Sequence, residues 1–159
     1  MTIAVCIKWV NYSGPVESDT PDERFAGFSF ADQAALEWAL QIAENSSDEV
    51  LVLTAGPVGA EAVLRDALSR GAHRALRIDI DLTSDSAVIA RSLVGAISQA
   101  RMVLCGDYSN DRGSGSVPSF IAADLNIDQA LGLVALDLPE SANASFTAVR
   151  RLDGGRREQ

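Results

Sequence analysis

Residues Val50–Ile80 read VLVLTAGPVGAEAVLRDALSRGAHRALRIDI, with two apolar runs on either side of a segment of helical period. Val50–Thr54 is a short apolar run broken by Gly56-Pro57, the pattern of a buried strand. From Ala60 to Arg70 the period changes. Val63, Leu64, Ala67 and Leu68 fall on one helical face, and Gly71 supplies a C-terminal stop. Ala75–Ile80 then resumes the strand pattern. A strand, a helix and a strand in so short a span predict parallel strands joined by a right-handed crossover.

The same alternation extends outward in both directions. Upstream, Ile3–Val10 (IAVCIKWV) predicts a first strand, followed by a polar loop with Gly14, Pro15 and Pro21. A loop of that length in a compact domain points to function rather than plain connection. Ser29 with Asp32 three residues on resembles a capping box, and Ala35, Leu36, Ala39, Ile42 and Ala43 follow at helical spacing. Downstream, Thr83 or Ser84 is expected to cap a helix over 86–99, buried through Val88, Ile89, Leu93 and Ile97. Met102–Gly106 predicts a fourth strand, Pro118–Leu125 a short helix and Ala130–Leu136 a fifth strand.

These elements predict an α/β domain over residues 1–138: a doubly wound, mainly parallel five-stranded sheet with helices on both faces. Ligands in such sheets bind beyond the carboxyl ends of the strands, where strand order reverses. Loops 11–31, 55–59 and 106–117 are therefore expected on one rim. Residues 139–159 depart from the pattern. Ser145–Leu152 alternates like an exposed strand, and Asp153-Gly154-Gly155 signals a hairpin turn. Only Arg156–Gln159 remain to return, so this extension reads as an incomplete hairpin.

Composition narrows the function. The chain has 159 residues, 13 basic and 22 acidic, for a net charge of −9, with 47% apolar residues. Such acidity argues against nucleic acid or an anionic membrane as main partner. No stretch approaches the ~20 apolar residues that cross a bilayer, and no targeting segment is visible, so a cytoplasmic location is expected. Cys6 and Cys105 sit inside apolar runs and read as buried free thiols, although a disulfide between them stays open at this stage.

Familiar catalytic motifs are missing. His73 is the single histidine, in a helix-to-strand turn, and reads as structural. One histidine and two separated cysteines do not build a zinc site. Neither a G-x-x-x-x-G-K-[ST] loop nor a G-x-G-x-x-G turn occurs after the first strand. Trp9 and Trp38 read as packing residues. No catalytic residue is assigned.

One segment carries chemistry: Gly106-Asp-Tyr-Ser-Asn-Asp-Arg-Gly-Ser-Gly-Ser-Val-Pro118. It leaves a buried strand and enters a helix. Gly113 and Gly115 permit sharp turns and close approach. Successive N–H groups, with the Ser114 and Ser116 hydroxyls, can surround phosphate oxygens at a helix N-terminus, and Arg112 could add charge. Asp107 and Asp111 would repel phosphate and suit fixing the loop or bonding a ribose or base. A plain surface loop is the competing reading. Ala55-Gly56-Pro57 offers a second close approach on the same rim, while Tyr12 and Phe30 lie on the rim side.

Together these segments resemble the β subunit of the electron transfer flavoproteins. The resemblance rests on IAVCIKWV, FADQAALEWAL, VLTAGPVGAEAVLRDALSRGAHRALRID, GDYSNDRGSGSVPSFIAADLNIDQA and VRRLDGGRRE, and covers nearly the whole chain. The KWV, AALEWAL and LCGDYSNDRGSGSVPSF forms look most like the actinobacterial branch associated with the mycofactocin redox system. The resemblance implies an adenine nucleotide α-hydrolase-like sheet and a heterodimer with an α subunit. Such a heterodimer carries electrons from flavin dehydrogenases to a quinone-linked acceptor, without substrate chemistry of its own. It implies FAD held mainly by the α subunit and a structural AMP in the β subunit. By position, AMP would meet Cys6, then Ser29, Phe30, Ala31 and Asp32 before the first helix, and Ala55 in TAGP. Gly106, Asp107, Tyr108, Ser109, Asn110, Asp111, Arg112, Gly113, Ser114, Gly115, Ser116 and Val117 would wrap its phosphate and ribose. Tyr12 lies beside the family position that approaches the flavin. Two departures stand out: the family often has Gly-Gln where this chain has Gly115-Ser116, and Asn-Pro where it has Ser29-Phe30. Family β subunits also run longer, which implies that a C-terminal part is lacking here.

Two other readings fit the residues. One is a stand-alone adenine-nucleotide-binding regulator similar to universal stress proteins, which use a comparable Gly-x-Gly-Ser loop. The other is an interaction module that binds no ligand.

Overall fold

The computed structural model describes residues 1–12, 23–81, 83–111, 113–137 and 146–159. In chain order the elements are β1 (Thr2–Cys6), β2 (Val10–Asn11), β3 (Ala26–Gly27), α1 (Phe30–Ser46), β4 (Glu49–Ala55), α2 (Glu61–Ser69) and β5 (Arg74–Ile78). They continue with α3 (Ser86–Ile97), β6 (Met102–Cys105), α4 (Val117–Leu125), β7 (Leu133–Asp137), β8 (Thr147–Arg151) and β9 (Arg157–Glu158).

Four strands form the parallel central sheet in the order β5-β4-β1-β6. Their residues alternate between two cores. Ile3, Val5, Val50 and Val52 pack with α1 and α2 residues such as Leu36, Ile42, Val63 and Leu64. Ala4, Cys6, Leu51 and Leu53 pack on the other face with Leu93 and Ile97 of α3 and Ile121 of α4. Burial on both faces explains the near-continuous apolar runs of β1 and β4. The doubly wound α/β class expected from sequence is therefore present.

The expected fifth strand lies elsewhere. Leu133–Asp137 is a strand, but it pairs antiparallel with β8 in a separate three-stranded sheet, β7-β8-β9. A further parallel strand would need cover on both faces, whereas Leu133 and Val134 are exposed and β8 reads Thr-Ala-Val-Arg-Arg. That one-sided pattern suits an antiparallel ribbon. The Asp153–Gly155 turn brings Arg157 and Glu158 back against Arg151 and Arg150, so the returning strand is two residues long.

Smaller corrections follow local competition. The first strand ends at Cys6, and Val10–Asn11 pairs separately with Ala26–Gly27. The cap of α3 is Asp85, whose carboxylate accepts from Val88 N–H at 2.9 Å, not Thr83 or Ser84. The Thr83 hydroxyl is instead engaged by Asp81. Val88 and Leu68, expected in the core, are exposed. Trp9 is buried as expected. His73 is structural: its Nδ1 accepts the Val50 N–H at 3.1 Å, tying β4 to the start of β5. Among the described residues, no helix is long and apolar enough to cross a membrane.

Candidate functional site

Strand order places β4 and β5 on one side of β1 and β6 on the other, so the sheet has its switch point between β1 and β6. A solvent-open cleft lies there, in the place where open α/β sheets bind their ligands. Cys6, Ile7 and Lys8 enter it from the end of β1, and Cys105 and Gly106 from the end of β6. Ala55 contributes from β4, Asp32 from α1, and Ser86, Ile89 and Leu93 from α3. Tyr108, Ser109 and residues Ser114–Pro118 close the far side. The loops at 55 and 106–117 do share one rim, together with the start of α1.

Asp32 organises the cleft. Ser29 caps α1, its hydroxyl accepting the Asp32 N–H at 3.0 Å, which fixes the Asp32 side chain at the first turn. The Asp32 carboxylate then accepts backbone N–H groups from both flanking strand ends: Lys8 on Oδ2 and Gly106 on Oδ1, each at 3.1 Å. Burial pushes its carboxyl up from 3.8 to about 6, opposed by these donated hydrogen bonds. Gly106 is required by this packing, because a Cβ there would lie 2.5 Å from Asp32 Oδ1 and 2.9 Å from the Ala31 carbonyl carbon.

The 106–117 loop folds on itself above the cleft. Gly115 has φ +55°, and a Cβ on it would lie 2.1 Å from the Asp107 carbonyl oxygen. Its glycine therefore serves the loop's own closure as well as any ligand approach. Lys8 Nζ bonds both carboxylate oxygens of Asp111 at 2.6 Å, fastening the loop to the end of β1. Ser116 precedes α4, makes no capping bond to it, and meets the Ser86 hydroxyl at 2.9 Å. Ser86 opens α3, so two helix N-termini, each with a partial positive charge, border the cleft beside Lys8. The lining also includes the apolar side chains of Ile7, Ile89, Leu93 and Val117. An anion with an apolar or aromatic body suits that mixed lining.

The expected residues thus separate into groups. Cys6, Asp32, Ala55, Gly106, Tyr108, Ser109, Ser114, Gly115, Ser116 and Val117 line the cleft. Ser29 and Ala31 act from behind it, through the cap and the Gly106 contact. Asp107 closes the loop, Asp111 holds Lys8, Gly113 turns at φ +62°, and Asn110 is exposed. Phe30 is 82% exposed and points away from the lining. Tyr12 also lies off the cleft, its hydroxyl donating to the Phe28 carbonyl at 2.7 Å. Arg112 is outside the described residues. Sequence reading missed Ile7, Lys8, Ser86, Ile89, Leu93, Cys105 and Pro118 as cleft residues. Lys8 alone carried a signal, as a charge inside an otherwise apolar first strand.

Fold and cleft together define an α/β sheet with an open cleft at its switch point, bordered by two helix N-termini, Lys8 and serine hydroxyls. A family model described as electron transfer flavoprotein domain matches residues 24–159, and the chain belongs to that family. The β subunit of electron transfer flavoprotein from Mycobacterium tuberculosis is 35% identical over 134 residues, covering 77% of this chain and 49% of that protein. Protein FixA of Rhizobium meliloti is 32% identical over 133 residues, covering 78% and 46%. The β subunit from Syntrophomonas wolfei is 30% identical, covering 78% and 49%. The chain spans about half the length of the curated relatives it matches.

Proposed function

We propose that this chain is the nucleotide-binding part of the β subunit of a heterodimeric electron transfer flavoprotein. It is a cytoplasmic electron carrier and catalyses no substrate chemistry of its own. The reading rests on one observation above others: a cleft with two helix N-termini, Lys8 and clustered hydroxyls at the switch point of a family-matched sheet.

The residues fit a structural AMP. Ser86, Ser114 and Ser116 with the α3 and α4 N-termini would hold its phosphate. The apolar side chains of Ile89, Leu93 and Val117 would take the base, and Asp32 would hold the strand ends on either side. The changed residues of the family pattern agree with this: Ser116 still presents a hydroxyl where glutamine is usual, and Ser29 still caps α1 where asparagine is usual.

FAD, held mainly by the α subunit, supplies the one- and two-electron chemistry when bound. Tyr12, half exposed and anchored to the Phe28 carbonyl, would contact it from this subunit. Electrons would pass from flavin- or mycofactocin-linked dehydrogenases towards the quinone pool; the mycofactocin link rests on the sequence forms alone. Co-expression with a candidate α subunit tests the proposal. A one-to-one complex with flavin absorbance is expected. A colourless monomer that releases ATP on acid treatment would overturn it.

A further inference from the structure

The cleft wall holds a pair of thiols whose redox chemistry nucleotide binding and electron carriage leave unused. Cys6 ends β1, Cys105 ends β6, and the two are direct partners in the parallel ladder. Neighbouring strands lie about 4.8 Å apart, inside the roughly 4.4–6.8 Å Cα separation that a disulfide spans. Both side chains pack in the same core under α3 and α4, both line the cleft, and both are free thiols. They are the only cysteines in the chain. Their surroundings differ. Cys6 is buried and Cys105 half-buried. The adjacent Cys105 side chain, burial and the Asp32 carboxylate push the Cys6 thiol well above its ordinary range. Cys105 is therefore the thiol that a small reagent entering the cleft meets first, with Cys6 held protonated behind it.

We propose that Cys6 and Cys105 are a redox-active dithiol that a hydroperoxide entering the cleft converts to an intrachain disulfide. With hydrogen peroxide, the Cys105 sulfur attacks one peroxide oxygen and the O–O bond breaks. This leaves a sulfenic acid, and the departing hydroxide takes the Cys105 proton as water. The Cys6 sulfur then attacks the Cys105 sulfur, the S–O bond breaks, and hydroxide leaves with the Cys6 proton as a second water. Two electrons pass from the thiols to the peroxide. The product ties together the two strand ends that flank the crevice, next to Lys8 and Gly106, whose amides Asp32 holds. Oxidation thus changes the wall of the site, whatever the site binds.

The test uses the full chain, purified reduced, exposed to hydrogen peroxide and quenched with N-ethylmaleimide before intact-mass and peptide analysis. The expected result is loss of two hydrogens, no maleimide adduct, a cross-linked peptide containing Cys6 and Cys105, and reversal by dithiothreitol. In Cys6→Ala, Cys105 is expected to stop at a sulfenic acid that dimedone traps. Two maleimide adducts after peroxide treatment would overturn the proposal. So would Cys105 sulfinic acid with Cys6 unmodified, or an interchain dimer.

Discussion

The Asp32 carboxylate accepts the Gly106 N–H at 3.1 Å, joining the first turn of α1 to the end of β6 across 74 residues of sequence. With its second oxygen on the Lys8 N–H, one buried side chain spaces the two strands that open the cleft.

Stability is predicted to depend on this group in a particular direction. The folded-state value near 6 exceeds the ordinary 3.8, so the folded chain keeps a proton that the unfolded chain has lost. The associated stability is fully present below about pH 4 and is lost as pH rises through about 6, a contribution of about 3 kcal/mol at most. Urea unfolding of wild type and Asp32→Asn across that range checks it. The variant should lack this part of the pH slope; an identical slope would assign it to other groups.

Glycines 115 and 113 should respond unequally to alanine. At Gly115 the new Cβ meets backbone, the Asp107 carbonyl oxygen at 2.1 Å; at Gly113 the nearest atom is a Tyr108 ring carbon at 3.3 Å, which can move. Both positions carry the ~1–2 kcal/mol left-handed penalty, and only Gly115→Ala also forces the loop open. Amide hydrogen exchange over 106–117 should rise sharply in Gly115→Ala and little in Gly113→Ala.

Much of the fold was legible because buried parallel strands and one-sided helices have different periods. Val50–Ile80 shows both within one unit, and Ser29–Asp32 carried a helix start that the capping bond realises. Other features depend on pairing, which periodicity does not encode. Leu133–Asp137 looks like any strand, and only its partner β8 removes it from the parallel sheet. Thr83, Ser84 and Asp85 are all good caps, and the Asp81 contact to Thr83 decides among them. The 106–117 segment was found as a Gly/Ser-rich loop after a strand. Cys105 was missed because its place in the cleft follows from the β1–β6 register, and Lys8 because β1 ends at Cys6 and leaves Lys8 beyond the strand, at the rim.

The Lys8–Asp111 pair predicts opposite effects on anion binding. Lys8 is partly exposed, so the pair adds less than ~1 kcal/mol to stability. A bound phosphate would compete with Asp111 for the ammonium. Lys8→Met should weaken AMP binding about fivefold and Asp111→Asn should strengthen it by a similar factor, with both effects shrinking at high salt. Calorimetric titration at two salt concentrations reads this out; equal loss in both variants would mean that the pair acts only through loop structure.

The cleft between β1 and β6 is proposed to hold an adenine nucleotide. Mass spectrometry of the acid extract from wild-type protein and from Ala55→Phe, which fills the cleft from β4, tests it most directly. One equivalent of AMP is expected in wild type and its loss in the variant, with the fold retained by circular dichroism. Wild-type protein without nucleotide, or equal AMP in both proteins, would contradict it.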